Sequence, residues 1–181
     1  MASHIASLIM EAMNAECCQN FAGPKHTLVD FHRMMTRLVE MEDSQYSYRN
    51  VLAAYTSSGI LAGICVAYDG AKLHQLRRRF YEAALEAFGI DYTGMTDETE
   101  DGEFYIDSLA VSSNFRGKGI ASQLLQATIE RGAEFGIPTV GLLVDKGNPK
   151  AEALYQRLGF VYVNDSTWGG HPMRHLQYKQ N

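Results

Sequence analysis

Residues Tyr105 to Ala121 read YIDSLAVSSNFRGKGIA. A strand ending at Val111 delivers the chain into a turn holding two glycines, Gly117 and Gly119, and two cations, Arg116 and Lys118. A long amphipathic helix, predicted from about Gly117 to Phe135, starts in that turn. The first N–H groups of a helix have no partner within it and carry partial positive charge. Glycines let such a backbone approach an anion closely, so the turn suits a phosphate or pyrophosphate. Its spacing matches neither GxGxxG nor GxxxxGKS/T, which disfavours a dinucleotide-binding dehydrogenase and a P-loop nucleotide hydrolase. Taken alone, Arg-Gly-Lys-Gly reads equally well as a strand–helix turn with solvated cations.

Working outward, two helical patterns open the chain: Ile5, Leu8, Ile9, Ala12 and Met13, then Leu28, Phe31, Met34, Met35 and Leu38 after the break at Gly23-Pro24. Val51 to Tyr55 and Ile60 to Tyr68, joined by Thr56-Ser57-Ser58-Gly59, read as an antiparallel hairpin. A helix follows from about Leu73 to Phe88 with Gly89 as its stop, then an acidic loop at Thr93 to Gly102 and a strand over Glu103 to Val111. Downstream come a strand at Thr139 to Val144, a short helix at Pro149 to Leu158 and strands at Phe160 to Val163 and His171 to Lys179. No repeat or linker interrupts this order, so residues 1–181 are expected to form one α/β (α+β) domain.

A second cluster settles how the turn is used. Leu142 to Ala151 read LLVDKGNPKA, followed by Leu154-Tyr155 and Leu158-Gly159-Phe160. The two clusters in this order resemble the GNAT superfamily of N-acetyltransferases. Arg116, Gly119 and Ala121 match its R-x-x-G-x-G/A turn, and Asn148, Ala151, Tyr155, Gly159 and Phe160 match its N-x-x-A-x-x-x-Y-x-x-x-G-F signature. The resemblance covers Glu103 to Val163 and suits the hairpin as the family's second and third strands. It implies a mixed, mostly antiparallel central sheet flanked by helices, with the fourth and fifth strands splayed to admit acetyl-CoA as cosubstrate. One departure stands out: the family begins with a strand before its first helix, and here a helical pattern starts almost at once.

The resemblance also implies roles. Leu109, Ala110 and Val111 would border the pantetheine arm, with Leu109 and Val111 offering backbone groups to it. The amides of Arg116, Gly117, Lys118, Gly119, Ile120, Ala121 and Ser122 would hold the pyrophosphate. Asn148 would contact the cofactor or order the adjoining loop. A substrate amine would attack the thioester directly, with the Val111 N–H as oxyanion donor and Tyr155 as acid to the leaving thiolate. Alternation places Glu103, Tyr105, Asp107, Leu109 and Val111 on one strand face. Asp107 lies four residues before Val111, where several members of the family carry an acidic residue facing the substrate. Glu103 lies nearer the mouth and could act through water. Both are candidate bases, although a carboxylate satisfied by local donors is the plainer reading of each. Tyr105 and His175 are expected to line the acceptor pocket. Arg77-Arg78-Arg79 reads as a solvated helix face, with the cofactor's 3′-phosphate as the sharper alternative. Asp97 to Glu103 could attract a cationic amine, a solvated loop being the commoner case.

Composition narrows the partners. With 181 residues, 46% hydrophobic and 20% charged, the chain is of ordinary globular type. Sixteen Lys and Arg against twenty-one Asp and Glu leave a net charge of −5, which argues against nucleic acid and leaves a cationic substrate open. The resemblance implies a primary-amine acceptor on a small molecule or a protein, and no nucleic acid and no membrane is expected as partner. The insertion before the fourth strand favours a small amine. His171 and His175 lack a third partner for a metal, so no metal is expected. Cys17, Cys18 and Cys65 read as reduced thiols, and with no signal-peptide pattern at Met1 to Ala15 a cytoplasmic monomer or homodimer is expected. The rival reading is a non-catalytic acyl-CoA-binding sensor or interaction module, which would have no need of Tyr155 or Asp107.

Overall fold

The apolar period of the first forty residues builds three helices, α1 (Ala2–Met13), α2 (Ala15–Ala22) and α3 (Leu28–Glu40), in a computed structural model that describes residues 1–180. The sequence shows only two because α2, AECCQNFA, is about two turns long and too short for its period to register. Asn14 splits α1 from α2 in a left-handed conformation, φ 70°, and its side chain accepts the Cys17 N–H at 2.8 Å to cap α2. At the start of α3, Thr27 and Asp30 exchange side-chain and backbone hydrogen bonds in a capping box.

The strands are β1 (Val51–Tyr55), β2 (Leu61–Asp69), β3 (Phe104–Val111), β4 (Thr139–Asp145), β5 (Val161–Trp168) and β6 (His171–Lys179). They form one sheet in the order β1-β2-β3-β4-β6-β5, antiparallel throughout except for the β3–β4 pair. Helices α4 (Leu73–Phe88), α5 (Ile120–Glu134) and α6 (Pro149–Arg157) connect them. β5 extends five residues beyond its predicted end at Val163, because pairing with β6 carries the polar run Asn164 to Thr167 that propensity alone would leave as loop. Among the described residues no strand precedes α1, so the expected fourth and fifth strands are β3 and β4 here.

Both sheet faces are covered. Ile64, Val66 and Ala110 pack on α1–α4 with Ile9, Phe31, Met35 and Phe80, while Cys65, Ala67, Phe104 and Ile106 pack on the other side against Leu124, Leu125 and Ile129 of α5. β2 is thus buried on both faces, which accounts for its nearly unbroken apolar sequence.

Candidate active site

Where β3 meets β4 the sheet opens. The two strands pair for three residues only, Phe104–Ile106 against Val140–Leu142. Beyond that point β3 is bonded to β2 alone and β4 to β6 alone. The free edge of β3 has a definite phase. The Ser112 N–H bonds to the Ala62 carbonyl, so alternation turns the N–H and C=O groups of Val111 and Leu109 into the gap and leaves Ala110 bonded to β2. The Val111 carbonyl accepts Arg116 Nε at 3.0 Å, which ties the turn to the strand end.

That turn keeps its N–H groups open. Gly117 and Gly119 sit at φ 74° and 78°, a left-handed geometry that costs glycine nothing. The first N–H to bond into α5 is that of Gln123, on the Gly119 carbonyl, and among the described residues the N–H groups of Gly117 to Ser122 have no acceptor. The first turn of α5 carries no acidic side chain to compete for them. Lys118 folds over the Phe115 ring, its ammonium 5.3 Å from the ring centre.

Three cavities follow one another along the gap. The outermost, about 710 Å³, is lined by Leu109, Val111, Gly117, Ala121 and Tyr155, with Arg116, Lys150 and Arg157 as its cations. The middle one, about 310 Å³, shares Leu109, Asn148 and Tyr155 with it and reaches Asp107, Asp145 and Trp168. The innermost, about 110 Å³, is closed by Met13, Tyr46, Tyr105 and Trp168 around Asp107 and Glu98. Asn148 caps α6, accepting the Ala151 N–H at 3.2 Å, and so orders the loop at the rim. The Tyr155 ring lies edge-on to Phe160, and burial pushes its hydroxyl well above the ordinary tyrosine range, so it holds its proton at neutral pH.

Asp107 reaches the cleft by a device that the sequence conceals. Val66 pairs with Ser108 and its neighbour Ala67 with Ile106, so Asp107 is an extra residue bulged out of β3. The bulge reverses the alternation. Phe104 and Ile106 pack toward α5 before it, and Leu109 packs toward α5 after it, so Leu109 does not share a face with Tyr105 as strict alternation predicts. Asp107 accepts from Ser108 Oγ at 2.8 Å, and from Gln45 Nε2 and the Tyr68 hydroxyl at 3.1 Å each. Burial raises its pKa against those three bonds.

Glu98 comes from the acidic loop, which is no solvated loop at this point: Glu98 and Thr99 are buried. The Tyr68 hydroxyl stands 3.3 Å from Glu98 Oε1 as well as 3.1 Å from Asp107, so one O–H lies between two carboxylates. Burial, then the Asp107 charge, pushes Glu98 up to about 7 against the pull of Arg77. Arg77 fits neither expectation for the arginine run. It is 1% exposed and faces Glu98 at 3.3 Å and Asp97 at 3.4 Å, whereas Arg78 and Arg79 pair with Glu82 in the solvent-side manner expected.

Two expected site residues lie elsewhere. Glu103 and His175 line none of the three cavities. They bond to each other, His175 Nε2 to Glu103 Oε2 at 2.8 Å, and Glu103 also accepts from Thr99 at 2.6 Å and Gln177 at 2.9 Å. Burial opposes ionisation of Glu103, but these donors outweigh it and hold the carboxyl below its ordinary value. Glu103 is therefore a fastened anion at the closed end of the β3–β4 pair with His175 as its partner, and neither reaches the cavities where the expected base and substrate contact would lie. Sequence reading misses Glu98, Tyr68, Gln45 and Trp168; Trp168, the sole tryptophan, is the one with a signal of its own. Among the described residues no cluster of His, Cys, Asp and Glu could hold a metal, and no helix is long and apolar enough to cross a membrane.

An open sheet with an anion-ready turn at the gap is the architecture of an acyl-transfer fold, and the chain belongs to the acetyltransferase (GNAT) family, whose model matches residues 34–160. A solved structure described as an acetyltransferase superposes with a TM-score of 0.81 at 26% identity, covering 98% of this chain and 94% of that one. GCN5-related N-acetyltransferase 4, chloroplastic, of Arabidopsis thaliana is 26% identical over 174 residues, 87% of this chain and 60% of that protein. Spermine/spermidine N(1)-acetyltransferase of Bacillus subtilis is 26% identical over 94 residues, 50% of this chain and 62% of that protein. The chain thus spans less than two thirds of the length of these curated relatives.

Proposed function

We propose that the protein transfers an acetyl group from acetyl-CoA to a primary amine. The observation that carries this reading is the continuity of the cleft: an end with open N–H groups and three cations leads past Tyr155 to a closed end with two carboxylates. The residues present fit acetyl-CoA, since the Gly117 to Ser122 amides and Arg116 suit a pyrophosphate and the Leu109 and Val111 edge suits an extended amide-bearing arm. Both curated relatives named above are N-acetyltransferases by name.

Bound acetyl-CoA supplies the thioester carbon that the amine attacks. The Val111 N–H, aimed into the gap, stabilises the charge that develops on the thioester oxygen. Tyr155 donates its proton to the departing sulfur, and Asp107 takes one from the incoming ammonium. Thermal unfolding with and without acetyl-CoA tests the reading. A ligand at about 100 times its dissociation constant stabilises by roughly 2.7 kcal/mol, a rise on the order of 5–10 °C for a chain this size. The rise disappears in the Arg116→Glu, Gly119→Asp double variant, and thiol release with a panel of primary amines completes the test. No shift at saturating acetyl-CoA refutes the reading. A shift without thiol release from any amine or peptide replaces it with the acyl-CoA-binding module.

A further inference from the structure

Resting on that reading, we propose that the innermost cavity is the ammonium subsite of a small amine with no carboxylate or phosphate of its own. The cleft separates its lysines and arginines from its buried carboxylates, with the exposed Glu11 bordering the outer two cavities and pairing with Arg116 at 3.4 Å. Arg116, Lys150 and Arg157 all lie in the outermost cavity, and neither inner cavity is lined by a lysine or arginine. Glu98 and Asp107 line the innermost, and Glu11, Asp107 and Asp145 the middle one, where His171 stands 3.6 Å from Asp145. The one cation nearby, Arg77, lies behind Glu98 and is already engaged with Asp97 and Glu98. A free α-amino acid would therefore bring its carboxylate among carboxylates with no counter-charge, whereas a plain amine brings only the charge this end lacks.

A second observation marks the same place. Gln45 bonds Asp107 through its amide nitrogen, and its other amide atom, Oε1, is a buried acceptor with no hydrogen-bond partner among the described residues. Gln45 is itself 4% exposed. A buried acceptor without a donor is rare in an interior, and an ammonium beside Asp107 supplies the donor this one lacks. Met13, Leu143 and Met173 supply the apolar wall for the body of the amine, and the small volume excludes a bulky acceptor at this depth.

The proton path follows from the geometry. The ammonium gives one proton to the carboxylates of the Glu98–Tyr68–Asp107 set, which the Tyr68 O–H bridges. The nitrogen lone pair then forms the C–N bond as the C–S bond breaks, and the thiolate takes the Tyr155 proton. The nitrogen's second surplus proton restores Tyr155, and the third stays on the amide. Glu98 faces Arg77 from α4, which also donates to the Tyr81 hydroxyl, Tyr68 from β2, Tyr105 and Asp107 from β3, Asp97 beside it, and Trp168 from β5.

The test compares amines with their α-carboxylated counterparts: butylamine with norvaline, isopentylamine with leucine, phenethylamine with phenylalanine. Each pair is measured for acetylation and, by calorimetry, for binding to the CoA-loaded protein. The amine is expected to exceed its amino acid by at least about 100-fold in kcat/KM, and in affinity likewise. Glu98→Gln is expected to weaken amine binding about 10-fold or more with CoA affinity unchanged, and Glu98→Asp to recover part of it. An amino acid equal to or better than its amine in any pair overturns the proposal, as does unchanged amine binding in a folded Glu98→Gln protein. Calorimetry keeps the two readings apart. Amine binding without turnover refutes acetyl transfer while the subsite stands, and turnover that favours the amino acids refutes the subsite alone.

Discussion

Gly141→Ala gives a sharp test of how the closed end of the β3–β4 pair is held. A Cβ at Gly141 would overlap the Glu103 carboxylate. The backbone there cannot retreat, because Gly141 pairs with Tyr105 on one side and Gln177 on the other. The carboxylate must swing away and abandon its bonds to Thr99, His175 and Gln177. Bonds to a charged group are worth about 1.5–3 kcal/mol each, but three that share one carboxylate do not sum. Breaking a buried charge out of its partners costs about 3–5 kcal/mol, and we expect that range here. At 2–4 °C per kcal/mol for a chain of this length, Tm falls on the order of 6–20 °C.

Thermal and urea unfolding of the single variants and the Glu103→Ala, Gly141→Ala pair make the reading decisive. In the Glu103→Ala background the new methyl has nothing to displace, so Gly141→Ala there costs less than about 1 kcal/mol. The cost also depends on pH. Glu103 has a folded pKa below its ordinary 4.5, so its stabilisation is present above that pH and fades as pH falls through the folded value. The penalty of Gly141→Ala should shrink in step as pH falls below the ordinary 4.5. A cost under 1 kcal/mol in the native background at pH 7, or an equal cost in both backgrounds, refutes the clash as the cause.

Tyr155→Phe removes a hydroxyl with no hydrogen-bond partner among the described residues, so the protein should unfold within a few degrees of the parent while kcat falls about 100-fold at unchanged KM for acetyl-CoA. Stopped-flow thiol release and melting curves read both. Glu98, with its folded value raised to about 7, stabilises fully below its ordinary 4.5 and loses that contribution as pH rises toward 7; stability measured from pH 4.5 to 7 should decline, and Glu98→Gln should flatten that decline. Thr27→Ala breaks the capping box of α3, whose Thr27 lines none of the three cavities, and should cost about 0.5–2 kcal/mol in urea unfolding with kcat/KM unchanged.

Much of this molecule is legible before any coordinates. The strand–turn–helix at Tyr105 to Ala121 and the Asn148 to Phe160 signature locate the anion-binding end because that chemistry is local: backbone N–H groups, glycine geometry and a cap lie within a few residues of one another. The acceptor end is assembled from far-apart pieces, Gln45 before β1, Tyr68 on β2, Glu98 in a loop, Asp107 on β3 and Trp168 on β5, and no period or spacing links them. Glu103 and Glu98 show how local pattern misleads there. Strand phase nominates Glu103 and dismisses Glu98 as a solvated loop residue, yet the structure fastens the first with three donors and buries the second beside the cavity.

The bulge at Asp107 explains why phase fails at this strand in particular. A regular β3 would either aim Asp107 at the same face as Leu109 or lose the pairing that holds Leu109 and Val111 at the gap. One extra residue resolves the conflict. It turns Asp107 toward Gln45 and Tyr68 while Ser108 to Val111 rejoin β2 in register, so the strand serves the carboxylate pair with one segment and the cofactor edge with the next. Nothing in YIDSLAV announces the inserted residue, because either register buries apolar side chains on both faces of β3. Strand phase read from a sequence is therefore least dependable on a strand covered on both faces, which is where this fold places its chemistry.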